Sequence, residues 1–192
     1  MRMQIEMRSP FWVTSDTHFF HTNIIKYCNR PFKSTEEMNE TIYSNWNNTI
    51  GKNEKVFFLG DWVIGTENKY SVGQFLHDQL NGHKLFIQGN HDNHIKKYTK
   101  IKVVDGVIEV KYKGINILMS HEPIWDFPHD IHIHGHIHNN DENTKLKWNM
   151  FNVSVEMTEY KPVHIDDIIN KINIKKSLIM NWEVLNEKRS SH

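Results

Sequence analysis

One cysteine, Cys28, stands among 192 residues, so no internal disulfide can form and the fold must rest on its own core. No stretch approaches the roughly 18 apolar residues that a membrane helix requires, which predicts a chain with no membrane partner. The N-terminal segment lacks the basic, apolar, small-residue succession of a secretory signal; with the lone thiol, this predicts a reducing, cytoplasmic setting. An excess of either charge is missing too, since Lys+Arg and Asp+Glu number 23 each. Such a chain carries no overall basic footprint for nucleic acid, and a small partner is expected instead. Linkers, repeats and low-complexity tracts are absent. The length suits one domain, expected over residues 1–187 with a frayed tail at 188–192.

What the chain does have is histidine, with 14 copies, and five apolar runs that each end in polar, metal-ligating or proton-moving residues. Phe11-Trp12-Val13 leads into Ser15-Asp16-Thr17-His18, and Val56 to Leu59 into Gly60-Asp61. Leu85-Phe86-Ile87 leads into Gly89-Asn90-His91-Asp92, Ile115 to Met119 into Ser120-His121, and Ile131 to His134 into Gly135-His136-Ile137-His138. All five have the length and residue types of buried strands.

Helical patterns lie between them. Ser34-Thr35-Glu36-Glu37 is a capping box, and Met38, Ile42, Trp46 and Ile50 draw one apolar stripe behind it. Thr22 to Cys28 and Ser71 to Leu80 are shorter candidates, the second crossing between the strands that end at Asp61 and Asn90. Alternation of strand and helix predicts a largely parallel sheet in the first half. From Ile101 onward Asp105-Gly106 and Lys113-Gly114 read as hairpin turns. Val107 to Tyr112, Ile115 to Met119 and Phe151 to Met157 are then expected in a second, mixed sheet, with a last helix from Ile165 to Ile174.

In open α/β sheets, ligands bind beyond the carboxyl ends of the strands, where all five clusters fall. If the strands are neighbours, Asp16, His18, Asp61, Asn90, His91, His121, His136 and His138 meet in one cleft. Burying so many imidazoles and carboxylates without partners costs several kcal/mol per group, on the order of 2–7 for a neutral polar group. Metal ions remove that cost. An oxygen and imidazole shell without thiolate suits Mn, Fe, Co, Ni or Zn better than Ca or Mg. One ion would be over-supplied by this set and two would use it, which points to in-line phosphoryl chemistry.

Asp16-x-His18, Gly60-Asp61, Gly89-Asn90-His91-Asp92, His121 and Gly135-His136-x-His138, in that order, resemble the five signature blocks of the calcineurin-like metallophosphoesterase superfamily. The stretch Asp16 to Ile25 followed by Arg30-Pro31-Phe32 looks like its compact bacterial and viral members. The resemblance implies a four-layer α/β/β/α sandwich of two mixed sheets. It assigns Asp16, His18 and His138 to one metal, Asn90, His121 and His136 to the other, and Asp61 to both. It gives His91 the role of assisting the leaving group while a metal-bridging hydroxide attacks phosphorus. It also makes the chain an enzyme, a hydrolase of small phosphomonoesters or phosphodiesters holding two divalent ions from among Mn, Fe, Zn and Ni.

Ile64 stands where many phosphatases of this superfamily carry a further Asp, so support for His91 is sought from Asp92. Arg30 is a candidate phosphate clamp, His21 a candidate substrate contact, and His134 a candidate support for the ligands. His132 is expected as a hydrogen-bonded strand residue, while His77, His83, His94, His129, His164 and His192 are expected in structural or exposed positions. Trp12, Trp62 and Trp125 flank the motifs as packing residues. Two other functions compete: a nuclease or nucleic-acid end-processing phosphatase, which would need a basic groove, and a metal-binding protein without catalysis.

Overall fold

The computed structural model describes residues 2–93, 95 and 101–190, and folds them into two five-stranded sheets packed face to face. One has the order β10-β2-β3-β4-β5, with β2 (Trp12–Thr14), β3 (Lys55–Phe58), β4 (His83–Ile87) and β5 (Lys102–Val104) parallel and β10 (Val163–His164) antiparallel at its edge. The other has the order β1-β6-β7-β8-β9. It comprises β1 (Arg2–Met7), β6 (Val107–Tyr112), β7 (Ile115–Met119), β8 (Ile131–His134) and β9 (Met150–Asn152), and only the β6–β7 pair is antiparallel. The α/β sandwich of two mixed sheets expected from sequence is the architecture observed.

Alternation along each strand builds two cores at once. On β3 the side chains of Val56 and Phe58 join the helices α1 (Thr22–Tyr27), α2 (Thr35–Thr49) and α3 (Lys69–Gln79), while Phe57 and the following Leu59 face the other sheet. Met38, Ile42, Trp46 and Ile50 lie buried along the outer face of the first sheet as the stripe predicted. Ser34 Oγ accepts the Glu37 N–H at 3.2 Å, but Glu37 returns its carboxylate to the N–H of Lys33, one residue earlier than a capping box requires. Ile165, Ile168, Ile169 and Ile172 of the last helix, α4 (Ile165–Ser190), complete the inter-sheet core.

Three expectations are corrected. Asp105-Gly106 does not close a hairpin: it carries the chain from β5 in one sheet to β6 in the other, because β6 finds its partners in β1 and β7. The run from Phe151 stops as a strand at Asn152 and tightens into a 3-10 turn over Val155–Thr158. The last helix runs well past Ile174 to Ser190, since no proline or glycine interrupts it; Leu178 and Trp182 are exposed on this extension. Lys113-Gly114, by contrast, turns the β6–β7 hairpin with both residues at positive φ, 50° and 81°.

Candidate metal centre

The two sheets are pinned together where their strands end. Ser15, just past β2, bridges Ser154, just past β9, and donates its N–H to Val153 O at 3.2 Å. The loop after β2 is then zipped to the loop after β3: Asp16 N–H donates to Gly60 O at 2.9 Å and His18 N–H to Asp61 O at 3.1 Å. Asp92 ties in the loop after β4, its carboxylate accepting the N–H groups of Asp61 at 2.7 Å, Trp62 at 3.0 Å and Gly89 at 3.0 Å. Asp16, His18, Asp61, His136 and His138 all sit in the left-handed region, with φ between 44° and 68°. Each such residue stores strain of about 1 kcal/mol or more, the kind that collects at functional sites.

The motif glycines make the crowding possible. A Cβ at Gly135 would strike Asp16 Oδ2 and Ser15 Oγ, one at Gly89 would strike Asp61 Oδ1, and one at Gly60 would strike His121 Nδ1. Glycine is needed there for close approach.

The side chains so placed gather in overlapping groups. Asp16, His18 and His138 offer ligand atoms within 4.8 Å of one another, as do Asp16, Asp61 and His121. His138 Nε2 lies 3.9 Å from Asp16 Oδ1. On the other side, Asn90 Oδ1 is 2.8 Å from His121 Nε2 and 3.1 Å from His136 Nδ1, and these two nitrogens are 3.2 Å apart. Asp61 Oδ2 lies between the groups, 3.4 Å from His18 Nε2 and 3.7 Å from His121 Nε2.

These residues fit metal ions. Asp16 Oδ1 and His18 Nε2 are buried with no hydrogen-bond partner, an expense that a cation would offset. His121 Nδ1 lies 2.7 Å from Leu59 O, so its hydrogen belongs there and Nε2 keeps a lone pair. That lone pair faces the Asn90 carbonyl oxygen, two acceptors that repel unless a positive charge joins them. Burial pushes the His18 imidazole down against the pull of Asp61 and Asp16. Burial alone would raise the Asp61 carboxyl, but His18, His121 and the His91 N–H outweigh it and hold the group at about 2. Burial also opposes charge on His138, yet Cys28, Glu156 and Asp16 overcome it and push the imidazole up to about 11.

His91 lies at the rim, its ring exposed and 5.8 Å from that of His18, its N–H donated to Asp61 Oδ1 at 3.0 Å. His21 is half-buried, with Nδ1 3.4 Å from His18 Nδ1; burial first, then the charges of His18 and His91, push it down to about 4. His132 and His134 are buried on β8, one 2.8 Å from Ser120 Oγ and the other 3.0 Å from Gly135 O. Trp62 is fully buried in the helix-side core, and Trp125 is exposed. His94 lies outside the described residues.

Two expectations change here. Arg30 is not placed as a phosphate clamp: its guanidinium is wholly buried, spent on Asp16 O, Thr17 O, Met38 Sδ and Glu156. Asp92 gives His91 no side-chain support, because both its oxygens are engaged by backbone N–H groups.

Sequence reasoning missed Ser15, Ser154 and Glu156. The Ser15 and Ser154 hydroxyls reach Asp16 Oδ2 at 2.5 and 2.9 Å, beside the His136 N–H at 3.0 Å. Glu156 Oε1 is 3.0 Å from His138 Nδ1. The signal was present: Met150 to Val153 is a sixth apolar run that ends in polar residues.

A sandwich of two mixed sheets with this His/Asp/Asn cluster at the strand ends defines a class, and comparison with known proteins agrees. The model of the calcineurin-like phosphoesterase family matches residues 9–191. The chain belongs to that family and is a metal-dependent phosphoesterase. It is 42% identical over 170 residues to an uncharacterized protein of Methanocaldococcus jannaschii, a match covering 84% of this chain and 90% of the relative. The gene 66 protein of Mycobacterium phage L5 is 33% identical over 85 residues, or 44% of this chain and 40% of that protein. A crystal structure of a protein of unknown function from Aquifex aeolicus superposes with a TM-score of 0.66 at 26% identity, covering 84% of this chain and 98% of that one.

Proposed function

We propose that this phosphoesterase cleaves a small phosphomonoester or phosphodiester with two divalent ions, one held by Asp16, His18 and His138, the other by Asn90, His121 and His136. Asp61 belongs to both. The observation that carries this reading is the position of Asp61 Oδ2 between His18 Nε2 and His121 Nε2, at 3.4 and 3.7 Å, with a separate donor cluster on each side. Mn, Fe, Zn or Ni suits such a mixed oxygen and imidazole shell. When bound, the ions would supply Lewis-acid polarisation of the phosphoryl group and activation of water near neutral pH.

The chain's own residues do the rest. Asp61 stays ionised and so keeps a negative charge between the two clusters. His91, anchored through its backbone to Asp61 Oδ1, holds an exposed ring at the rim, where it would give a proton to the departing alkoxide. Zero net charge favours a small ester over nucleic acid, and the single cysteine suits a reducing, cytoplasmic setting.

Turnover of bis-p-nitrophenyl phosphate against p-nitrophenyl phosphate with added Mn tests the reading and separates diester from monoester preference. Hydrolysis of at least one is expected. Failure of both with every metal tried, or strong salt-sensitive binding and cutting of DNA or RNA, would overturn it.

A further inference from the structure

We propose that Glu156 and Arg30 are positioning residues: a buried pair that sets the orientation of His138 and the backbone of the Asp16 loop, and thereby the affinity of one metal position but not the other. The proposal rests on the reading that Asp16 and His138 are ligands of one ion. Glu156 Oε1 is shared by three donors, His138 Nδ1 at 3.0 Å, Arg30 Nε at 2.8 Å and Arg30 Nη2 at 2.7 Å. The Glu156 side chain is 2% exposed and that of Arg30 0%.

Each contact has a consequence at the site. In a metal-ligating imidazole, a carboxylate that accepts Nδ1–H fixes the ring orientation and leaves Nε2 as the ligand atom, and on His138 that atom faces Asp16 Oδ1. The other arms of Arg30 reach Thr17 O at 2.9 Å and Asp16 O at 2.8 Å. They hold the carbonyls of a loop in which Asp16 and His18 have φ of 57° and 49°. One guanidinium therefore grips the turn that presents two candidate ligands, and one carboxylate orients the third. Glu156 itself stands in the 3-10 turn after β9, 126 residues from Arg30 in the chain. Among the described residues, Asn90, His121 and His136 make no hydrogen bond or ion pair with either member of the pair.

A buried ion pair adds little net stability over an apolar pair of equal volume. What it supplies here is direction, so its loss should register on metal binding more than on folding.

The test is competition titration of Mn against a chromogenic chelator, on the wild-type chain, Glu156→Gln and Arg30→Lys. The expected result is a split: one of the two dissociation constants rises about 10–100-fold in Glu156→Gln and the other is unchanged. Arg30→Lys, which keeps the charge without the fork, gives the same split with a smaller rise and guards against a Glu156 variant that does not fold. Equal rises in both constants, or none in a folded variant, would overturn the proposal and leave two-ion binding intact. A wild-type chain that takes up fewer than two ions would remove the underlying reading, and the proposal with it.

Discussion

The backbone N–H of His91 donates to Asp61 Oδ1 at 3.0 Å, so the residue proposed to meet the leaving group and the carboxylate proposed to join two ions are coupled through the main chain. The imidazole of His91 takes no part in that bond. Side-chain changes at this position should therefore spare the metal cluster.

His91→Ala is expected to retain both ions and lower kcat by about 10²–10⁴-fold, the range of a positioned proton donor. Metal analysis beside steady-state kinetics checks this. Unchanged kcat would take His91 out of the mechanism.

Asp61→Asn should behave in the opposite way. It removes the charge between His18 Nε2 and His121 Nε2 while keeping the shape, so metal content should fall below that of the wild type. The rise in thermal midpoint on adding Mn should shrink with it, since a ligand stabilises in proportion to its affinity. Full metal content in this variant would contradict the joining role.

Gly135→Ala places a methyl group against Asp16 Oδ2 and Ser15 Oγ. Relieving that overlap should cost about 1–3 kcal/mol and displace Asp16, so metal affinity falls as well as stability. Chemical denaturation and metal titration of the same sample measure both effects; an unperturbed metal constant would mean that the loop has room to give.

The metal-free chain should lose stability below neutral pH partly through His132. Burial first, then the charge of His134, pushes this imidazole down to about 3, against about 6.5 in an unfolded chain. Between those values the unfolded state binds the extra proton, so stability falls as pH drops below 6.5, by up to about 1.4 kcal/mol per pH unit. His132→Leu should show a shallower slope of denaturation midpoint between pH 7 and 5. An identical slope would assign the acid sensitivity to other groups.

Strand ends were the legible part of this sequence. Short apolar runs stop abruptly before Asp16, Asp61, Asn90, His121 and His136, and each stop marks where a strand leaves its sheet. The stripe Met38-Ile42-Trp46-Ile50 was legible for the matching reason at helical period. Arg30 and Glu156 were not, because their partnership spans 126 residues and neither lies on a periodic segment. Asp92 misled through its position beside His91: neighbours in a tight turn point apart, and its carboxylate turned back to the backbone of Asp61, Trp62 and Gly89. The switch of sheets at Asp105-Gly106 was hidden because a two-residue turn signal does not say which strand the chain will join next.

Anomalous diffraction from crystals grown with Mn tests the central claim most directly. Two peaks per chain are expected, on either side of Asp61 Oδ2, one beside Asp16, His18 and His138 and the other beside Asn90, His121 and His136. A single peak, or two peaks that leave Asp61 without a metal contact, would contradict it.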